Sequence, residues 1–205
     1  MDNIILVALF CTIVLILIIF VIGRLIDILT QLIVMGLSKL MGGKVARFIA
    51  NWLTFIGVIH HELAHALFAL ITGAKVTKVS LFKPKGNSLG SVEMAPRGNK
   101  LMQSLQCTLS AIAPMVLGTV TEFILFYVVK NKELSLGVTI LLIYCMISIL
   151  IHMTMSWADI KSAVKGLPLC IVLLIVVWIV ILFFGKGPFI DMIYGSYDTF
   201  TGIWK

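Results

Sequence analysis

The sequence predicts an all-α polytopic membrane protein with five or six transmembrane helices and a small cytoplasmic β-hairpin. Of its 205 residues, 60% are hydrophobic and only 12% are charged, whereas a soluble domain carries about 25% charged residues. The apolar residues form runs close to the roughly 20 residues that a helix needs to cross the hydrocarbon core. Residues 1–205 are predicted to form a single domain, because one domain is typical of this length.

The charged residues and the cysteines exclude two other classes of protein. The net charge of +7 does not indicate nucleic-acid binding, because the basic residues lie between apolar runs, where they set membrane topology. The four cysteines lie in apolar stretches without C-x-x-C spacing. We interpret them as small buried side chains rather than as disulfides or thiolate metal ligands.

Five apolar segments are predicted to span the membrane. They are residues 4–23, 48–73, 104–129, 136–155 and 168–185. The first has no basic region before it and no small-residue cleavage site, so we expect a retained helix rather than a removed signal peptide. Residues 25–41 are ambiguous, because Asp27, Gln31 and Ser38 form a polar stripe on an otherwise apolar segment. This segment is either a sixth span whose stripe faces protein or a helix lying flat in the interface.

Residues 75–100, between the second and third spans, have a different composition. The β-branched VTKVSLF, the turn-rich KPKGNSLG and the returning SVEMA together predict a β-hairpin. Six basic residues against one acid, Glu93, place this loop in the cytoplasm by the positive-inside rule. Lys161 and Lys165 mark a second cytoplasmic loop. The basic loop at 42–47 would then lie outside, a conflict that an interfacial or re-entrant 25–47 would soften.

The segment VIHHELAHALFAL, residues 58–70, carries the pattern H-E-x-x-H inside a predicted span. On a helix, His61 and His65 lie one turn apart on one face, so both imidazoles can reach one zinc ion. Glu62 is displaced from that face and can act as general base on a zinc-bound water, whose pKa zinc lowers to near 7. His60 points about 100° away from His61, so we expect a supporting or packing role for it. The alternative is a set of paired polar residues that hold helices together.

A catalytic zinc site needs a third protein ligand and one open position. The candidates are Glu122, His152 and Asp159. Glu122 is disfavoured because it lies on an oppositely running span, toward the outer half of the membrane. Asp159 forms an S-x-x-D capping pattern with Ser156, which competes with a ligand role. His152 lies seven residues earlier, and a continuous helix would put both residues on one face, so it is an alternative ligand or a supporting partner.

The two parts of this site are predicted at different depths. His61 lies about 12 residues, or roughly 18 Å of helix, from the cytoplasmic end of its span, whereas Asp159 follows the apolar run of its own span. For Asp159 to reach the same ion, its segment must dip inward or the motif helix must tilt or protrude. Non-helical backbone at depth must pack on protein or line a cavity, so we predict a water-filled cytoplasmic funnel.

Four segments carry a family resemblance: HHELAHALFALITGAKV, VTKVSLF, SAIAPMVLG and SWADIKSAVKGLP. Over residues 55–170 they resemble the site-2 protease family of intramembrane zinc metalloproteases. The resemblance implies one catalytic zinc ion held by His61, His65 and Asp159. It also implies that Glu62 activates water. The family's aspartate commonly lies in L-D-G or N-P-x-x-D-G, whereas Asp159 lies in W-A-D-I, which indicates a divergent branch.

The resemblance implies a metalloendopeptidase that hydrolyses transmembrane or membrane-associated proteins. Residues 48–170 would form the catalytic core, preceded at 1–47 by a helix with an amphipathic or re-entrant segment. Residues 171–205 would form a C-terminal helix and tail. We expect a multi-pass cell-membrane protein whose site opens toward the cytoplasm. Its substrates would be selected by the membrane core or by a regulatory membrane partner.

Two further expectations concern the hairpin and the rival functions. A strand edge at 76–82 or 91–95 would bind an unwound substrate by β-augmentation; a plain structural loop is the alternative. A non-hydrolytic zinc carrier or sensor is one rival function, and an inactive protease-like scaffold is another. Carriers commonly take midplane ligands from two repeated halves, whereas these histidines lie together on one helix.

Overall fold

The computed structural model describes residues 3–81 and 90–202 and is 82% helical. Within these residues lie seven α-helices and one two-stranded antiparallel sheet. In chain order the elements are α1 (Ile4–Met41), α2 (Gly43–Phe48), α3 (Phe55–Ile71), β1 (Lys75–Ser80), β2 (Ser91–Ala95), α4 (Lys100–Asn131), α5 (Leu136–His152), α6 (Trp157–Phe184) and α7 (Pro188–Gly202). The chain divides into two compact units, one formed by 20–166 and the other by 1–19 together with 167–205.

Three helices, α1, α4 and α6, are long and apolar enough to cross a membrane. They contain 38, 32 and 28 residues, more than the roughly 20 that a span requires. Helices α3 and α5 are apolar but contain 17 residues each. A helical architecture with membrane-type spans and a small sheet therefore agrees with the predicted fold class, and the number of five or six spans stays a prediction.

The first predicted span and the ambiguous segment 25–41 form one unbroken helix, α1. At 1.5 Å per residue, 38 residues make a helix about 57 Å long. The helix ends at Gly42, whose φ of 83° lies in the left-handed region that glycine adopts without strain. Residues 25–41 are thus the second part of α1 and not a separate helix.

The motif helix is shorter than the predicted segment 48–73. A π-helical turn occupies Ile49–Leu53, and α3 begins only at Phe55 after Thr54. π-Helical turns displace the i→i−4 hydrogen-bond pattern and are uncommon outside functional regions. The apolar run alone could not reveal this break. The residue types from 49 to 53 are all compatible with a continuous α-helix, and only the hydrogen-bond pattern of the backbone differs.

Helix α5 makes hydrogen bonds to the backbone around this break. The Tyr144 hydroxyl donates to the Leu53 carbonyl at 2.7 Å, and the Ser148 hydroxyl donates to the Thr54 carbonyl at 2.9 Å. The Gly57 amide donates to the Ser148 hydroxyl at 2.8 Å. A Cβ placed on Gly57 would lie 1.9 Å from the Ser148 carbonyl oxygen. Small residues allow such close backbone approach between apolar helices, so α3 and α5 are locked together just before the motif.

The predicted β-hairpin is present. Strands β1 and β2 pair in antiparallel register from Lys75↔Ala95 to Ser80↔Ser91, with an irregularity between Val76 and Lys78. Residues 82–89, which include the predicted turn and the last position of one predicted edge, lie outside the described residues. Both strands pack against α3, so the hairpin lies beside the motif helix.

Two buried polar side chains of α4 fix the neighbouring elements. Gln106 is 2% exposed; its amide donates to the Thr72 carbonyl at 3.0 Å and accepts from the Arg97 amide at 2.8 Å. The Thr108 hydroxyl donates to the Ala163 carbonyl at 2.7 Å and accepts from the Gly166 amide at 2.9 Å. The end of α3 and the start of α6 are therefore both tied to α4.

The other unit has an apolar core. Its buried side chains come from the start of α1, the end of α6 and α7: Val7, Ala8, Cys11, Leu182, Ile190 and Ile193. The ring of Phe10 meets that of Tyr197 edge-on, with centroids 5.7 Å apart. All four cysteines of the chain are free, and Cys11 and Cys170 are buried, as expected for small apolar side chains.

Candidate metal centre

The two motif histidines lie on one face of α3. Their Nε2 atoms are 3.0 Å apart, and their rings meet edge-on at 79°. Two nitrogen ligands of a tetrahedral zinc ion, each at 2.0–2.1 Å from the metal, lie about 3.3 Å apart. His61 and His65 therefore present two donor atoms at nearly the separation that one ion requires.

Backbone carbonyls set the tautomer of each imidazole. His61 Nδ1 lies 2.7 Å from the carbonyl oxygen of His152 at the end of α5. His65 Nδ1 lies 2.7 Å from the carbonyl oxygen of Ser110 in α4. A carbonyl oxygen can only accept, so both Nδ1 atoms donate, and each neutral ring keeps its lone pair on Nε2. Such outer hydrogen bonds orient metal-ligating histidines in known sites.

This pair of tautomers fits a cation between the two rings. Two neutral imidazoles that both carry the proton on Nδ1 face each other at 3.0 Å with lone pairs only. Neither Nε2 can donate to the other, so the contact is repulsive unless a proton or a metal ion lies there. The donor set of the site therefore fits a metal ion.

Asp159 lies beside this pair, in the first turn of α6. Its Oδ1 is 3.7 Å from His65 Nε2, and one ligand atom each from His61, His65 and Asp159 all lie within 4.8 Å of one another. Two histidines and a carboxylate are a ligand set of known catalytic zinc sites. The structure thus brings together the three residues that the resemblance implies.

The same carboxylate also caps α6. Its Oδ2 accepts from the Ser156 amide at 3.0 Å and from the Ser156 hydroxyl at 2.5 Å, while the Asp159 amide donates to the Ser156 hydroxyl at 3.2 Å. This is the reciprocal pattern of a capping box. One oxygen thus caps the helix while the other faces His65, so the cap does not keep the carboxylate away from the histidines.

A short non-helical segment, residues 153–156, carries Asp159 to the histidines. Met153 and Met155 are buried, and the Met155 amide donates to the Gly23 carbonyl at 3.2 Å. A Cβ placed on Gly23 would lie 2.7 Å from the Met155 side chain. The irregular backbone is therefore packed against protein, which is what a non-helical segment inside a membrane would require.

An open cavity of about 950 Å³ surrounds the site. His61, Glu62, His65 and Asp159 all line it, and Glu62 is only 6% exposed. The polar stripe of α1 forms another part of the lining: Asp27, Thr30, Gln31 and Ser38. Asp27 also pairs with Arg24 one turn earlier. The stripe of residues 25–41 thus faces a protein cavity.

The other polar candidates are not part of the group formed by His61, His65 and Asp159. His60 donates through Nε2 to the Thr121 hydroxyl at 3.0 Å, which ties α3 to α4 and agrees with a supporting role. His152 supports the site through its carbonyl, and its ring Nδ1 donates to the Ser148 carbonyl at 2.9 Å. Glu122 is not part of the His–His–Asp group. One of its carboxyl oxygens is buried without a hydrogen-bond partner among the described residues.

Sequence reasoning missed two contributors to this site. Ser110 makes two hydrogen bonds with His65. Its carbonyl accepts from His65 Nδ1, and its hydroxyl donates to the His65 carbonyl at 2.9 Å. Its only signal in the sequence was the polar break SAIAPMVLG in an apolar helix. Gly90, at the entry to β2, lies against the Glu62 side chain. It follows a turn-rich stretch in which a glycine carries no distinct signal.

Comparison of the chain with protein-family models, curated proteins and solved structures finds no match. Since function resides in sites and not in folds, it has to be inferred from the residues around this cavity.

Proposed function

We propose that this chain is an intramembrane zinc metalloprotease of the site-2 protease type, which hydrolyses peptide bonds of transmembrane or membrane-associated proteins. One observation supports this proposal above all. His61 Nε2, His65 Nε2 and Asp159 Oδ1 converge in a cavity that a buried glutamate, next in sequence to a histidine, also lines. Catalytic zinc sites use three protein ligands and keep one position open, whereas structural sites are closed by four.

The residues of this site have separate roles in the proposed hydrolysis. A zinc ion held by the three ligands would supply Lewis acidity toward water and the peptide carbonyl. The Glu62 carboxylate accepts a proton from the attacking water as the new C–O bond forms. It then delivers that proton to the amide nitrogen as the C–N bond breaks. The products are a carboxylic acid and an amine. Glu62 thus takes part in both proton transfers.

Residues of the hairpin line the cavity, so an extended peptide bound there would lie beside a strand edge. Gly90, Ser91, Val92 and Met94, at and before β2, line it, as does the polar stripe of α1. A transmembrane helix protects its amides by internal hydrogen bonds, so it must unwind before cleavage. Pairing with the hairpin edge would replace those hydrogen bonds, and the Gln31 amide in the cavity lining would offer further hydrogen-bond partners.

We further propose that α3 and α5 cross the membrane together with α1, α4 and α6, and that the site opens toward the cytoplasm. Lys75 and Lys78 on β1 and Lys161 and Lys165 in the first part of α6 support this orientation, since basic residues favour the cytoplasmic side. The protein would then be a multi-pass component of the cell membrane.

Glu62→Gln tests the proposal because it removes the proton acceptor and leaves the three ligands in place. We expect wild-type protein in proteoliposomes to cleave members of a set of single-span transmembrane peptides, read by mass spectrometry. The variant should lose about 100-fold or more in rate and keep one zinc per chain by elemental analysis. Glu133→Gln, at an exposed position between α4 and α5, is the matched control.

Three outcomes of that experiment count against the proposal. Cleavage that survives in Glu62→Gln would exclude Glu62 as the base. Zinc binding and transmembrane zinc movement without peptide cleavage would favour a carrier. Zinc binding without either activity in the wild type would favour an inactive scaffold.

A further inference from the structure

Gly90 occupies an unusual position at the entry to β2. It is buried and lines the cavity together with Glu62. Among the described residues, the glycines with positive φ are Gly42, Gly73, Gly98 and Gly187. Gly90 is not one of them, so its backbone conformation does not by itself require a glycine. The reason for a glycine must be sought in the space around its Cα.

That space is filled by Glu62. A Cβ placed on Gly90 would lie 2.5 Å from Glu62 Cγ, 2.8 Å from Oε1 and 3.0 Å from Cδ. Carbon atoms in favourable contact lie about 3.5–4.0 Å apart, so all three distances are too short. Since the three nearest atoms all belong to one flexible side chain, the side chain of Glu62 would move and the strand and helix would stay.

We infer that Gly90 is a positioning residue for the proposed general base. Its missing side chain leaves room for the Glu62 carboxylate in the cavity that His61 and His65 also line, while its backbone closes one side of the space in which that carboxylate could turn. The inference rests on the proposed function. It makes the entry to the hairpin part of the catalytic apparatus, in addition to any part that the strand edge takes in binding substrate.

Gly90→Ala tests this inference through a split between the kinetic constants. A displacement of about 1 Å at a reacting group can cost about 100-fold in rate, so we expect kcat to fall about 10- to 100-fold. The KM for a transmembrane peptide, the zinc content and the melting temperature should stay at wild-type values. Gly137→Ala is the control, because nothing lies within 4 Å of a Cβ placed at that position.

Equilibrium binding of acetohydroxamate to the zinc-loaded protein gives a second readout that needs no turnover. This compound chelates zinc through two oxygens and gives its hydroxyl proton to a nearby base. We expect Gly90→Ala and Glu62→Gln each to weaken binding about tenfold. Because Gly90 acts through Glu62, the double variant should bind no more weakly than Glu62→Gln alone, as for residues that share one interaction.

The outcomes separate this inference from the function on which it rests. A wild-type protein that binds no zinc would overturn both. If the wild type binds zinc and cleaves peptides, wild-type kcat in Gly90→Ala would overturn only the role of Gly90. Lost zinc or a lower melting temperature in Gly90→Ala would assign the glycine to the fold and overturn the inference, as would additive weakening of acetohydroxamate binding in the double variant.

Discussion

The two compact units of this chain bury different kinds of side chain. In the unit formed by 20–166, the buried polar residues are Glu62, Gln106, Thr108, Ser110 and Ser148. In the unit formed by 1–19 and 167–205, the core is apolar, and its one buried polar side chain among the described residues is Thr12. A domain held by apolar packing alone would not need the first set, since each buried polar group is costly unless it is hydrogen-bonded.

The hydrogen bonds of the two units also differ in reach. Ser148, Thr108 and Ser110 join different helices, whereas Thr12 bonds only to the Ala8 carbonyl four residues earlier in its own helix. Bonds between helices fix their relative height and rotation, which the proposed metal centre with ligands on α3 and α6 would require. This difference indicates that buried polar groups hold the helices of the first unit in fixed relative positions, whereas apolar packing stabilises the second unit.

The largest contrast is expected from two glycines. Gly57→Ala would place a Cβ 1.9 Å from a backbone oxygen of α5, which cannot yield without separating α3 from α5. We expect a loss of about 3 kcal/mol or more in the free energy of unfolding, together with loss of zinc. Gly195→Ala in α7 meets nothing within 4 Å and should stabilise the protein by about 0.5 kcal/mol. Denaturant titration and zinc analysis of both variants measure this difference, and equal stabilities would break the comparison.

The next contrast separates the helix cap made by Asp159 from its proposed role as a zinc ligand. Asp159→Asn keeps an oxygen that can accept the Ser156 hydrogen bonds but loses the charge, so we expect zinc to be lost while unfolding changes little. Asp159→Ala should lose zinc and also about 1 kcal/mol of cap stability. Asp191→Asn, in the first turn of α7, should keep the zinc. Elemental analysis and denaturant titration of the purified variants decide the matter.

His152→Ala completes that series. The carbonyl that accepts from His61 Nδ1 belongs to the backbone and persists in this variant, so zinc should be retained. Loss of zinc in His152→Ala with retention in Asp159→Asn would exchange the roles of the two residues.

The smallest contrast compares two buried threonines, which are 0% and 2% exposed at positions 12 and 108. Thr108→Val leaves the Gly166 amide and the Ala163 carbonyl without their buried partner, which should cost about 1–3 kcal/mol. Thr12→Val removes only a bond to a carbonyl within its own helix, so we expect a change below about 0.5 kcal/mol. Denaturant titration measures the free energy of unfolding of both variants. Comparable losses would contradict the view that polar bonds between helices matter only in the first unit.

Residue types and their spacing were enough to predict much of this arrangement. The i, i+4 spacing placed His61 and His65 on one face, the alternation in VTKVSLF and SVEMA predicted the hairpin, and the apolar runs located the long helices. These signals depend on local periodicity, which a single sequence displays directly.

The parts that escaped prediction depend on backbone atoms and on tertiary contacts. The carbonyls of Ser110 and His152 that orient the imidazoles exist whatever the side chain, so no residue type marks them. The π-helical turn before α3 is bonded by hydroxyl donors in α5, Tyr144 and Ser148, which lie far along the chain. The position of the second oxygen of Asp159 also escaped prediction, because the spacing shows that a carboxylate caps a helix but not that its other oxygen faces His65.

X-ray absorption spectroscopy at the zinc edge of the purified wild-type protein tests the central claim most directly. If His61, His65 and Asp159 hold zinc, the first shell will contain only nitrogen and oxygen, at about 2.0–2.1 Å, with the outer scattering of two imidazoles. Asp159→Asn will lose this signal. A sulfur shell at about 2.3 Å, which would come from one of the four free cysteines, or a wild-type protein that binds no zinc, would contradict the account.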